Sequence, residues 1–330
     1  MDVAAVEATD ADRTTASFSD RLLGKEISRA ERAHETGLAL QEPLWTELAE
    51  GVQIIGVTGP PGAGKSTLVD KLILAARAEG LKVGVLAIDP SSPFTGGAIL
   101  GDRVRMGQHA VDPGVFIRSM GSRTSQGGLA ASTRSAVRLL TASGADVIIL
   151  ETVGVGQAEL DIMHVADTVV VVVVPGLGDT VQMNKAGILE IGDAFVVNQC
   201  DRPEARRTKR DLEQAIMIGH RGGEMPTVTM TQATTGDGVT ELWHRVRKHF
   251  EKQGATGALA ARRLAGQRHE ICDEVKKAIV RNLNDWLSGD DFQALLDDRP
   301  PSGWNVHALT GRAARAFLQE AGSAPLEEIR

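Results

Sequence analysis

Residues 59–66 read Gly59-Pro60-Pro61-Gly62-Ala63-Gly64-Lys65-Ser66, with Thr67 directly after them. This is the G-x-x-x-x-G-K-[ST] spacing of a phosphate-binding loop. Backbone N–H groups of such a turn wrap a polyphosphate, Lys65 reaches the β- and γ-phosphates, and the Ser66 hydroxyl ligates Mg²⁺. A metal held this way needs acids. Three candidates are Asp89 in Ile88-Asp89-Pro90-Ser91-Ser92, Asp102 in Gly101-Asp102-Arg103, and Glu151 in Glu151-Thr152-Val153-Gly154-Val155-Gly156-Gln157. Any one carboxylate could be no more than a helix cap or turn residue; three beside one phosphate loop weaken that view. Lys65, Asp89, Asp102 and Glu151 thus form the expected catalytic set, with Ser66 and the three acids around Mg²⁺. Glycines such as Gly154 leave the backbone free to sense a γ-phosphate. Gln157 is a candidate for orienting an attacking water, although a glutamine in such a loop is more often structural.

A second constellation concerns the base. Asn198-Gln199-Cys200-Asp201 has the spacing of an Asn-Lys-x-Asp guanine motif, with glutamine in the lysine position. A carboxylate at Asp201 accepts from two guanine donors, a pair that adenine does not offer. The plainer alternative is an Asx turn at a strand end. Further on, Thr231-Gln232-Ala233 is a candidate for a backbone donor, at Ala233, to the guanine oxygen.

These residues need elements to hold them. Ile54–Thr58 is an apolar run suited to a buried strand, and Ser66–Glu79 has helical spacing with Leu68, Leu72, Ile73 and Ala76 on one side. Polyphosphate would then sit at a helix N-terminus, where free N–H groups favour anions. Five more runs, Val83–Asp89, Val147–Glu151, Val169–Val174, Ala194–Asn198 and Thr227–Met230, alternate with helical patterns. That alternation predicts an α/β fold, a mostly parallel sheet covered on both faces. Asp89 and Glu151 would end its second and third strands, at the edge where open α/β sheets bind ligands.

Around this domain, placed at residues 51–250, the pattern changes. Residues 1–50 are expected to comprise a disordered tail (1–19) and a helical extension of two short helices. Leu22, Leu23 and Ile27 share one face of the first; Leu38, Leu40, Leu44, Trp45 and Leu48 mark the second. Residues 251–330 predict a long helix over Leu259–Leu287, a turn at 299–304 and a last helix over Val306–Ala321. Ile271, Val275, Ile279 and Leu283 form a seam on the long helix. The pattern alone favours packing against the chain's own body over a dimer contact.

Bulk composition narrows the partners. The 36 Lys and Arg against 43 Asp and Glu give a net charge of −7, which argues against a nucleic-acid binder. The two cysteines, Cys200 and Cys272, supply neither a disulfide framework nor metal-ligand spacing. The most apolar stretch, Val169–Val174, falls far short of the roughly 20 residues of a membrane helix. Residues 1–19 lack the apolar core of a secretory signal. A soluble, cytoplasmic protein with no membrane partner is expected.

Together, GVTGPPGAGKSTLVDKL, VLAIDPSSPFTGGAILGDRVRM, ETVGVGQAELDI and VVVVPGLGDTVQMNKAGILEIGD closely resemble the MeaB/ArgK family of G proteins, which includes the mitochondrial relative MMAA. The resemblance covers roughly residues 20–330. It implies a P-loop GTPase domain of the SIMIBI class, a helical N-terminal extension and a C-terminal dimerisation arm, so that the Leu259–Leu287 helix shifts towards a homodimer contact. It also implies a chaperone of an adenosylcobalamin-dependent acyl-CoA mutase, most often methylmalonyl-CoA mutase. Such a chaperone couples GTP hydrolysis to cofactor loading and to protection of the mutase, and is expected to bind no cobalamin itself. By the same resemblance, Asp89, Asp102 and Glu151 match the family's Mg²⁺ and catalytic acids. The loop Pro175–Lys185 matches an additional switch that relays nucleotide state to the mutase, with Asp179, Gln182 and Lys185 as its polar residues. Without the family it is a glycine-rich loop after a strand, with Lys185 solvated. No arginine finger is evident in the phosphate-binding motifs, which leads to an expectation of slow intrinsic hydrolysis that the partner accelerates. The competing readings are an ATPase or kinase of amino-acid transport and a nucleotide-binding scaffold.

Overall fold

Apolar strands buried on both faces divide their side chains between two cores, and the valine run of residues 169–174 does so strictly. In the computed structural model Val169, Val171 and Val173 enter one hydrophobic cluster, while Val170, Val172 and Val174 enter the other. The structure describes residues 20–36, 51–90, 109, 111–122, 131–152, 158–176, 187–219, 225–297 and 306–323. Among them, seven strands form one parallel sheet: β1 (Gln53–Thr58), β2 (Val83–Pro90), β3 (Val115–Ser122), β4 (Val147–Thr152), β5 (Thr168–Val173), β6 (Ala194–Val197) and β7 (Thr227–Met230). Their order is β3-β2-β4-β1-β5-β6-β7. β1 lies at the centre, with Val57 opposite Glu151 of β4 and Val170 of β5. The chain crosses from β1 to one side of the sheet and later to the other, so the loop leaving the carboxyl end of β1 opens at the sheet's switch point.

Helices cover both faces. α1 (Asp20–Thr36), α2 (Lys65–Ala78) and α3 (Ala131–Ala142) belong to the first half of the domain. The short α4 (Ala158–Asp161) and α5 (Ile188–Ile191), then α6 (Ala205–Gly219) and α7 (Val239–Thr256), belong to the second. The predicted Leu68, Leu72, Ile73 and Ala76 stripe of α2 is fully buried. On α1 the buried residues are Leu23, Ile27 and Ala30, whereas Leu22, expected on the same face, is 63% exposed. One hundred degrees per residue turns Leu22 away from that stripe. The second helix expected within residues 37–50 and the turn at 299–304 lie outside the described residues.

β3 is a strand the apolar-run reading did not include. It makes Glu151 the end of the fourth strand in chain order, not the third. Phe116 and Met120 are buried, but Ile117, Arg118 and Ser119 are only half-buried, as befits an edge. Arg118 is occupied: Nη1 donates to Gly24 O (3.1 Å), and Nη2 donates to Ser28 Oγ (2.9 Å) and pairs with Glu31. The cation therefore fastens α1 along the sheet edge.

The far end of α2 is tied as well. Arg77 meets Asp112 through two bonds, Nε to Oδ2 at 2.9 Å and Nη2 to Oδ1 at 3.0 Å, and Asp112 also accepts the Gly114 N–H. Bonding to Arg77 holds the Asp112 carboxyl below its ordinary range, against the opposing effect of burial. A depressed carboxylate contributes stability above its unfolded pKa and loses it as pH falls through the folded one. Asp112→Asn should therefore lower the denaturant midpoint at pH 7 and narrow its gap to the unmodified protein below about pH 4.

At the opposite, amino edge, Asp167 and Asp193 precede β5 and β6. Arg263 forks onto Asp167 (2.9 and 2.8 Å) and donates to Val52 O (2.6 Å), and Arg262 pairs with Asp193 (2.9 Å) and donates to Ala166 O (2.9 Å). The same Asp167 accepts the Ile54 N–H at 2.9 Å. The first turns of α8 (Ala258–Ser288) are thus joined to the foot of the sheet.

The chain divides into two units, one up to Gly266 and one from Gln267. The second contains the remainder of α8, α9 (Asp290–Asp297) and α10 (Val306–Ser323). Within it, Trp286 packs on Phe292 and Phe317, with ring centroids 5.4 and 6.0 Å away. Of the seam residues Ile271, Val275, Ile279 and Leu283, the first three are more than half exposed and Leu283 is half-buried. No helix among the described residues is long and apolar enough to cross a membrane.

Candidate nucleotide site

Between β1 and α2 the chain turns through residues of unusual backbone conformation. Gly59 (φ 138°), Gly62 (φ 76°) and Gly64 (φ 83°) all have positive φ. Side chains are excluded there twice over: a Cβ on Gly59 would lie 2.1 Å from Val172 O, and one on Gly64 would lie 2.4 Å from Asn198 Nδ2. Pro60, Pro61 and Ala63 complete the turn, and Lys65, Ser66 and Thr67 open α2. Its first N–H groups have no partner within the helix and point where an anion would sit. Lys65 is buried and folds back over the turn, donating from Nζ to Gly59 O (2.7 Å) and Pro60 O (3.0 Å). The cation is therefore held inside the loop by the loop's own carbonyls.

The predicted acids separate by what the structure describes. Glu151, at the end of β4 and 3% exposed, accepts a 2.6 Å hydrogen bond from Ser66 Oγ. A hydroxyl and a carboxylate oxygen that converge in this way are hard ligands of the type Mg²⁺ takes, so the donor set fits that ion. Beside them Thr152 Oγ1 donates to Thr58 Oγ1 at 3.0 Å, which joins the ends of β4 and β1. Asp89 is the penultimate residue of β2, one residue beyond the Ile88–Thr152 pair with β4, so its backbone reaches the same sheet edge. Asp102, Gly154, Gln157, Asp179, Gln182 and Lys185 lie outside the described residues.

Asn198 has a larger part than its motif indicates. It is buried, and its side chain makes three bonds: Nδ2 donates to Ala63 O (2.9 Å), while Oδ1 accepts from Thr231 Oγ1 (3.1 Å) and from Ala233 N (3.0 Å). One amide thus joins the phosphate loop, the end of β6 and the loop after β7. The Ala233 N–H, the candidate donor to the guanine oxygen, donates to Asn198 Oδ1 in this structure. The reason is geometric: parallel pairing of β6 with β7 places Thr231 and Ala233 beside the end of β6. Asn198→Ala would leave the Ala63 carbonyl and the Ala233 N–H buried without these partners. It should cost roughly 2–3 kcal/mol in urea unfolding.

The turn that follows is strained. Gln199 has φ 56°, the one non-glycine residue with positive φ among the described residues. Arg202 N donates to Gln199 O (3.1 Å), Cys200 N donates to Thr231 O (3.0 Å), and Asp201 is exposed at its tip. Burial, then the nearby Asp201 and Asp237 charges, pushes the Cys200 thiol up. A raised thiol pKa keeps Cys200 protonated, and it packs as an apolar group. Arg202 was missed in the sequence: its Nη1 donates to Pro175 O at 2.9 Å, spanning the exits of β6 and β5. Its position next to Asp201 was the available signal.

Comparisons agree with this geometry. A protein from Pyrococcus horikoshii designated a GTPase is 53% identical over 237 residues, covering 71% of this chain and 74% of the relative. The mitochondrial methylmalonic aciduria type A homolog of Mus musculus is 36% identical, covering 80% of this chain and 64% of that protein. The crystal structure of a LAO/AO transport system kinase superposes with a TM-score of 0.66 at 23% identity, over 94% of this chain and 99% of the other, and attests the shared fold. The family model described as methylmalonyl Co-A mutase-associated GTPase MeaB matches residues 23–286. With that match spanning the phosphate loop, Glu151 and the Asn198–Asp201 turn, the chain belongs to the MeaB family of GTPases.

Proposed function

We propose that this GTPase works with Mg²⁺ as a chaperone of an adenosylcobalamin-dependent acyl-CoA mutase, methylmalonyl-CoA mutase being the family's named partner. Cofactor loading and protection of the mutase would be coupled to GTP hydrolysis. The observation that carries the nucleotide part is the Asn198 clamp, which fixes the Asp201 turn relative to the phosphate loop. A base at Asp201 and phosphates at the α2 N-terminus would then be read by one rigid frame. Lys65 and the first N–H groups of α2 would take the β- and γ-phosphates, and Asp201 the guanine donors. Ser66, Glu151, Asp89 and Asp102 would hold Mg²⁺, which would supply neutralisation of phosphate charge. Gly154 and Gln157 would serve nucleotide sensing; Asp179, Gln182 and Lys185 would serve partner coupling. The domain boundaries at residues 50 and 250, a homodimer formed through the C-terminal arm, and a cytoplasmic location complete the proposal.

Purified methylmalonyl-CoA mutase from the same organism supplies the test. Protein loaded with a non-hydrolysable GTP analogue should co-elute with the mutase, and the mutase should raise GTP turnover about 10-fold or more, within the range of partner-stimulated GTPases. Failure of both refutes the chaperone assignment. Equal affinity for ATP and GTP would instead favour the amino-acid-transport ATPase or kinase reading.

A further inference from the structure

The geometry points to Arg202 as a positioning residue that makes the exit of β5 respond to occupancy of the base site. The inference rests on the nucleotide reading above and adds a link between two loops. Arg202 belongs to the Asn198–Arg202 turn, whose other end is the buried Asn198 clamp. Its own N–H is given to Gln199 O, and the Cys200 N–H is given to Thr231 O. These bonds hold Gln199 at φ 56°, a conformation that a side-chain-bearing residue adopts at a cost. Asp201 projects from this turn into solvent, between a fastened Cys200 and Arg202.

The other partner of Arg202 is the carbonyl of Pro175, two residues past the end of β5. Proline has a fixed φ and no N–H, so nothing at its own nitrogen can tie it to the neighbouring strand. Gly176 follows with φ 79°, and a Cβ there would meet nothing within 4 Å. The chain therefore leaves β5 through a residue of fixed φ and then a glycine in the left-handed region, and Arg202 grips the first of them. Whatever restricts the turn at Asp201 restricts Arg202, its covalent neighbour, and through the 2.9 Å bond restricts the point from which the next loop departs. A base on Asp201 would hold this turn further, and with it the Arg202–Pro175 bond.

Hydrogen–deuterium exchange on the full-length chain tests the link, with Mg²⁺ and saturating GDP as the probe. In the unmodified protein GDP should slow exchange about fivefold or more, the lower end of ordinary coupling, both in the peptide over residues 59–67 and in the peptide that begins at Val174. Arg202→Met, which has no donor, should keep the first effect and lose the second; Arg202→Lys, which still donates, should recover part of it. Arg202 is exposed, so both variants should melt with the unmodified protein. Full protection of the β5 exit in Arg202→Met overturns the inference, as does an exit that ignores GDP in the unmodified protein. If GDP protects neither peptide, the nucleotide reading itself fails.

Discussion

Lys65→Ala should lower GTP turnover by about 100-fold or more, the loss seen when one preorganised charge facing a developing anion is removed. Lys65 is buried at the start of α2 with its ammonium against Gly59 O and Pro60 O, so its charge is already held within the phosphate loop. That placement makes it more effective than an equivalent lysine on the surface, because the site's low dielectric strengthens its field and no solvent must reorganise. The same bonds mean that alanine also loosens the loop, so turnover and stability must be followed together. Single-turnover hydrolysis, thermal melting and GDP titration separate the two. A variant that melts normally yet hydrolyses GTP at the unmodified rate would remove Lys65 from the catalytic set.

Asp201→Ala should weaken GDP binding by roughly 1.5–3 kcal/mol, the range for hydrogen bonds to a charged group, or about 10- to 150-fold in Kd. Asp201 is exposed and outside every core, so its removal should leave the melting temperature nearly unchanged. This contrast with Asn198→Ala is the useful part. Two residues of one short motif divide the work: the buried amide builds the frame, and the exposed carboxylate meets the ligand. Calorimetric titration with GDP and ADP decides the matter. Loss of GDP affinity with ADP unaffected is the expected result, and equal losses for both would place Asp201 outside base recognition.

Much of the frame was legible from residue patterns. Six strands were visible as apolar runs because a parallel sheet buried on both faces needs no polar alternation. β3 was not visible, since an edge strand carrying Arg118 and two serines lacks that continuity. Its polar residues make sense only once α1 lies alongside and Glu31 and Ser28 receive the guanidinium. The phosphate loop and Glu151 were legible because their chemistry is local or strand-terminal. The Asn198 clamp was not: its partners lie 135 residues earlier in the chain, at Ala63, and 33 and 35 residues later, at Thr231 and Ala233. Motif spacing carries no information about contacts of that range. The exposed seam at Ile271, Val275 and Ile279 shows the converse limit, since periodicity names a face without naming what covers it.

The clamp also bears on how the protein comes into being on the ribosome. β1 is among the first segments of the domain to emerge, yet its sheet neighbours β4 and β5 begin only at Val147 and Thr168. The Asn198 amide is complete only when Thr231 and Ala233 have also been made. Every intermediate chain up to that point lacks part of the Asn198 bond set. Contacts so distant in sequence close late in folding. Competence to hold nucleotide should therefore switch on once, near the end of the domain's synthesis. A truncated product ending before Thr231 would lack the Asn198 bonds to Thr231 and Ala233, and should hold GTP less tightly than the complete protein.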